Sequence, residues 1–104
     1  AFGDGFQIMP GNERSYRYLT ECTQEVFPEA LWMAHGIEDS VFCIARLAIE
    51  DGAHVRVGFE DRATLEDGRV ARSNADFVKW AVEHGRANGR GPASASEART
   101  TLIP

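Results

Sequence analysis

The run His54-Val55-Arg56-Val57-Gly58-Phe59-Glu60-Asp61 (HVRVGFED) puts an arginine and two acids into what otherwise reads as a buried strand. Successive strand residues point to opposite faces. On that alternation Val55, Val57 and Phe59 form one face, and His54, Arg56, Gly58 and Glu60 the other. The apolar face suits packing on helices. The polar face suits a cleft or a barrel interior, because a parallel strand covered on both sides is apolar throughout. The charge gathers at the C-terminal end, with Asp61 just beyond, where α/β folds place their active sites. An inward carboxylate can ligate a metal or hold a proton, and an inward arginine can grip a substrate carboxylate with two parallel hydrogen bonds. The competing reading is a buried Arg56–Glu60 ion pair that only neutralises itself.

Around this run the chain reads as strand-then-helix units. Phe6-Gln7-Ile8-Met9 is a short strand candidate, followed by a Pro10-Gly11 turn. Asn12 is placed to cap a helix carrying Tyr16, Leu19, Thr23, Val26 and Phe27 at helical spacing, which Pro28 ends. Ala30 to Ala34 reads as a second strand, apolar on both faces. Asp39 or Ser40 then caps a helix with a broad apolar stripe: Val41, Phe42, Ile44, Ala45, Leu47, Ala48 and Ile49. Gly52 ends it. After the strand at 54–59 comes a polar loop, 61–72. Ser73 with Asp76, and Ser94 with Glu97, have the spacing of capping boxes opening two further helices. Phe77, Ala81, His84 and Gly85 mark one face of the first of these, with Val78 and Val82 beside it. Strands alternating with helices at this spacing predict parallel βαβ units, here three, in a narrow α/β sheet whose edges invite a neighbour.

The 104 residues suit one small domain or part of a larger one. Sixteen acids against 11 bases give a net charge of −5. With no basic patch, nucleic acid is not an expected partner. No apolar run is long enough to cross a membrane, and a secretion signal is not expected. The chain begins Ala1-Phe2-Gly3, without methionine, so a processed chain or a fragment is expected. Cys22 and Cys43 both fall on helical segments with no second pair beside them, which points to reduced thiols and a cytoplasmic setting.

HVRVGFED, followed by ARSNADFVKWAVEHGRANGR and then SASEARTTL, resembles the C-terminal end of the β-keto acid cleavage enzymes, the family typified by 3-keto-5-aminohexanoate cleavage enzyme. The family pattern there is approximately HVRVGLEDN, then a small residue with SNAELV, then a terminal PAEAR helix. LWMAHGIED resembles the family's tryptophan-containing penultimate strand. The resemblance implies a TIM (β/α)8 barrel of which residues 1–104 form the C-terminal three βα units plus a short terminal helix, with the 54–61 run on strand eight. It implies an acyltransferase reaction: a β-keto acid and acetyl-CoA give acetoacetate and a new acyl-CoA, assisted by Zn²⁺ or another divalent metal. By position, Glu60 matches the carboxylate ligand of that metal, and Arg56 and Asp61 match the catalytic arginine and aspartate. The sequence departs at Phe59 and Arg62, where the family has leucine and asparagine, and at SEAR in place of PAEAR. The family's His-x-His metal pair has no counterpart, because His35, His54 and His84 are not so spaced.

Other residues carry less. His54 lies at the far end of its strand from the reactive mouth and is expected to be structural. His35 ends the second strand and has a pocket-lining address. His84, Trp32 and Trp80 are expected to pack, and Cys43, in mid-helix, lacks the oriented base a nucleophile needs. Gly3-Asp4-Gly5 lacks the strand-to-helix context of a phosphate loop. Two functions from different classes are therefore carried forward: a zinc-dependent acyl-exchange enzyme acting on a small β-keto acid, completed by the rest of the barrel and self-associating, and a non-catalytic α/β association module without a complete metal site. Another metal-dependent barrel enzyme, such as an aldolase, is disfavoured by the SNA segment and the EAR helix.

Overall fold

The computed structural model describes residues 2–3 and 9–103. Helix α1 spans Glu13–Val26, α2 Val41–Glu50, α3 Asn74–Ala87 and α4 Ala95–Leu102; strands β1 and β2 are Met33–Ala34 and His54–Val55. The α1 cap is as the sequence predicts: the Asn12 carboxamide oxygen accepts from the Ser15 N–H at 2.9 Å. The helix stops at Phe27, φ −134° and ψ 73°, because a following proline disfavours helical backbone at the residue before it.

All seven apolar positions read for α2 are buried. The stripe is broad because it serves two clusters. One side meets Tyr16 of α1, Phe2, Ala34 and Ala53 through Ile44, Leu47 and Ala48. The other meets Phe77 and Trp80 of α3 through Val41, Phe42, Ala45 and Ile49. Val55 packs against both clusters, so β2 lies beneath the middle of α2. Each buried Val, Leu, Ile or Phe among them contributes about 1.5–3 kcal/mol by leaving water. Arg90 ties the end of α2 down, donating to the Ile49 and Ala53 carbonyls at 2.8 and 3.1 Å. Gly52, φ 78°, makes the left-handed turn that leads from α2 to β2. Ser40 does not cap α2 through its side chain. Its hydroxyl is turned back to the Ile37 N–H, at 3.1 Å, and to the Ile37 and Phe2 carbonyls, at 2.7 and 3.1 Å.

The sheet is parallel, as expected, with Met33 paired to His54 and Ala34 to Val55. An isolated parallel bridge joins Phe2 to Gly36 on the other side of β1. Among the described residues the expectation of three βα units is met only in reduced form: two strands of two residues, with a single bridging residue beside them. Most of the strand read at Phe6–Met9 lies outside the described residues, and so does Asp4-Gly5. The second strand does not begin at Ala30, because that N–H is used in a turn, donating to the Phe27 carbonyl at 3.0 Å. The third does not reach Phe59, because the backbone folds over at Gly58.

Alternation along the short strands still governs their faces. Trp32, Ala34, Val55 and Val57 pack into the clusters under the helices. Met33, His35, His54 and Arg56 alternate to the opposite face, and Met33 there is 56% exposed. The second strand is thus apolar on both sides, as read, but covered by the described residues on one only. Of the two predicted capping boxes, Ser94–Glu97 forms in full. At α3 the Asp76 carboxylate accepts instead from the Arg72 N–H at 2.8 Å, and the Ser73 hydroxyl makes no cap bond. Among the described residues, no helix is long and apolar enough to cross a membrane.

Candidate active site

Beyond β2 the ladder makes one more bond, from the Arg56 N–H to the Ala34 carbonyl at 3.1 Å. The chain then turns. The N–H groups of Asp61 and Arg62 both point back to the Gly58 carbonyl, at 3.2 and 3.4 Å. This turn brings the Arg56 guanidinium onto the Glu60 carboxylate. On a continuous strand two residues four apart would stand roughly 13 Å from each other. The pair therefore meets because the strand has ended, and the expected shared strand face does not extend to Glu60.

Asp61 completes the cluster. Its Oδ1 lies 3.7 Å from the Arg56 guanidinium, and its side chain is 3% exposed, against 40% for Arg56 and 82% for Glu60. The buried Asp61 Oδ2 has no hydrogen-bond partner among the described residues. A buried polar atom without a partner costs about 1–3 kcal/mol, so its persistence invites a functional explanation. The Arg56–Glu60 pair is not the buried, self-neutralising one that the sequence left open: Glu60 faces solvent and Asp61 is the enclosed acid.

His35 stands at the end of β1, half-buried beside this turn. Burial lowers its pKa, while the nearby Asp61 carboxylate works in the opposite direction. His54 opens β2, away from the turn, and His84 stacks on Trp80 with ring centres 4.0 Å apart. Trp32 packs against Tyr16, and Trp80 against Phe42. Cys22 and Cys43 are free thiols on α1 and α2.

Three features of the site were not read from the sequence. The Asn74 carboxamide oxygen accepts from the Phe59 N–H at 2.9 Å. The Glu38 N–H donates to the Asp61 carbonyl at 2.8 Å, from a residue with φ 53°. Arg62 bridges the turn to the 3-10 turn before α2, reaching Asp39 at 3.1 Å and the Glu38 carbonyl at 3.3 Å, with its guanidinium over the Phe42 ring. The SNA segment and the departure at Arg62 were both visible as sequence, but their bonds to the turn are long-range.

A hollow of about 930 Å³ lies elsewhere, between the 65–72 loop and α3, and is lined by none of Arg56, Glu60 or Asp61. It is wide open, and the Trp80 in its wall is committed to a hydrogen bond with Glu66 at 2.9 Å. A smaller apolar recess of about 390 Å³ runs beside β2, lined by Val57, Val78, Val82 and Leu102 among others. Among the described residues no group of three or more His, Cys, Asp or Glu side chains is arranged to hold a metal ion. Glu60 by itself does not build a metal centre.

Short parallel strands under one layer of helices, with an arginine and two acids at a strand's C-terminal end, define an α/β protein with an enzyme-like site. Comparison with known proteins makes this specific. The family model for beta-keto acid cleavage enzyme matches residues 2–103. The chain belongs to the β-keto acid cleavage enzyme family. It is 40% identical over 88 residues to a 3-keto-5-aminohexanoate cleavage enzyme of Fusobacterium nucleatum, covering 85% of this chain and 32% of the relative. Over 61 residues it is 46% identical to the enzyme of that name from Acetoanaerobium sticklandii, covering 59% and 22%. It is 30% identical over 94 residues to a 3-oxoadipate:acetyl-CoA acetyltransferase of Cupriavidus necator, covering 90% and 33%. The chain thus spans a third or less of the length of these relatives.

Proposed function

We propose that these residues form the C-terminal part of a (β/α)8-barrel enzyme that exchanges acyl groups between a β-keto acid and acetyl-CoA, releasing acetoacetate and a new acyl-CoA. The observation that carries the reading is the Arg56–Asp61 pair at the C-terminal end of β2, in a chain of the cleavage-enzyme family. The barrel is supported by parallel pairing, by helices on one face of the strands, and by the chain's share of its relatives' length. The rest of the barrel would close over the opposite face and over the apolar recess beside β2.

In this reading the half-exposed Arg56 guanidinium orients an anionic β-keto acid, its planar fork matching a carboxylate. Asp61 sits behind it, and its unpartnered buried oxygen is placed to take and return a proton. Glu60 points to solvent as one carboxylate ligand of a zinc ion, with the remaining ligands supplied from outside these residues. Bound zinc would polarise the keto group. Homo-oligomers of the completed barrel belong to the same proposal.

The test is direct. The full-length protein, given a β-keto acid and acetyl-CoA, forms acetoacetate and the new acyl-CoA in equal amounts, and Arg56→Ala lowers turnover by about 100-fold or more, the scale of losing a transition-state charge contact. No product from the full-length protein with a panel of β-keto acids would leave the association-module reading standing in its place.

A further inference from the structure

We propose that Asn74 is a positioning residue for this reaction: its side chain sets the turn that carries Glu60 and Asp61. The inference rests on the proposed function and adds a residue that touches neither substrate nor metal. Asn74 is the first residue of α3, which is anchored in the core by Phe77 and Trp80. Its carboxamide oxygen accepts the Phe59 N–H at 2.9 Å. Phe59 immediately precedes Glu60, and its ring meets the edge of Phe77 at 5.6 Å, so backbone and side chain are both tied to α3.

The same oxygen lies 2.9 Å from where a Cβ on residue 58 would stand. Gly58 therefore leaves the space that Asn74 fills, and Asn74 takes up a donor that the turn itself does not use. The turn's own bonds run to the Gly58 carbonyl and hold residues 61 and 62. Among the described residues, the Phe59 N–H is held from α3 alone. Without that bond the Asp61 end of the turn is still held by Glu38 and Arg62, but the Phe59–Glu60 side of it loses its backbone tie to the core. A catalytic group misplaced by a fraction of an ångström loses rate while binding persists.

The experiment compares Asn74→Ala, Asn74→Leu and Asn74→Asp in the full-length enzyme. Leucine keeps the bulk without the acceptor, and aspartate keeps an acceptor oxygen. Two quantities are read: hydrogen exchange of the Phe59 amide, and kcat and KM for acetoacetate formation. The expected result is exchange at Phe59 faster by about tenfold in the Ala and Leu variants, the scale of one lost hydrogen bond. Their kcat falls about 10- to 100-fold, as for other residues that orient a ligand from behind, with KM within about twofold. Aspartate restores both. Unchanged exchange at Phe59 in Asn74→Ala overturns the proposal, and so does faster exchange with unchanged kcat. A parent enzyme without cleavage activity overturns the underlying reading of function, and that result is distinguishable because the exchange measurement does not depend on the reaction.

Discussion

Arg56 and Asp61 lie 3.7 Å apart, and behind that contact the second oxygen of Asp61 is buried without a partner among the described residues. A group chosen for stability alone would not be left this way. Residues at functional sites are held in costly arrangements because the surrounding structure over-determines them. Here the Asp61 backbone is held by Glu38 and by Gly58, so the carboxylate stays where its chemistry would be used.

Asp61→Asn should therefore separate stability from activity. It removes a charge whose buried oxygen is unsatisfied, so the full-length protein should melt at the same temperature or up to about 4 °C higher. Turnover should be largely lost. Thermal unfolding and an acetoacetate assay on one sample check both. A variant that melts well below the parent would show that Asp61 stabilises the turn.

Glu38 carries a second cost. It has φ 53°, a left-handed conformation that disfavours side chains by about 1–2 kcal/mol. Glu38→Gly relieves that strain at the expense of about 0.4–1 kcal/mol of unfolded-chain entropy. The expected net effect is stabilisation of up to about 1 kcal/mol, whereas Glu38→Ala, which keeps a Cβ, should change little. Urea midpoints for the two variants decide the matter, and a glycine variant less stable than the alanine variant would contradict the strain argument.

Glu66 links the 65–72 loop to the core through Arg46 and Trp80. The Arg46 hydrogen bond lowers its pKa below the ordinary 4.5, against a smaller opposing effect of burial. A lowered folded-state pKa means that the unfolded chain takes up its proton first as pH falls. The contribution to stability is thus complete above about 4.5 and is lost as pH drops through the folded value. Glu66→Gln should be less stable than the parent at pH 7, and the difference should shrink as pH falls below about 4.5. Parallel stability curves over that range would show that the carboxylate charge contributes nothing.

Much of this was legible before the structure. Asn12 as a cap, the seven-residue stripe of α2 and the Ser94–Glu97 box depend on residues within one or two turns, so local chemistry suffices. The strands were over-read because propensity and alternation persist through Val57 and Phe59, while strand pairing depends on a partner chain far away in sequence. Gly58 was the visible sign that HVRVGFED bends, but the reason for a glycine there is Asn74, sixteen positions on. Arg56, Glu60 and Asp61 were found as a group, on the wrong geometric ground for Glu60: a turn, not a shared strand face, brings it to Arg56. Ser40 and Ser73 stand at the N-cap positions as read, but their hydroxyls make no cap bond: Ser40 turns to Ile37 and to the distant Phe2, and at α3 Asp76 accepts from Arg72 instead.

In the proposed function the exposed carboxylate of Glu60 serves a metal-assisted acyl exchange, with Arg56 beside it for the substrate. Zinc bound per chain in the full-length protein, compared with Glu60→Gln and Arg56→Ala, is the decisive quantity. Zinc should be near-stoichiometric in the parent and in Arg56→Ala, and substantially lower in Glu60→Gln, since one ligand is lost. Full zinc occupancy in Glu60→Gln would contradict it.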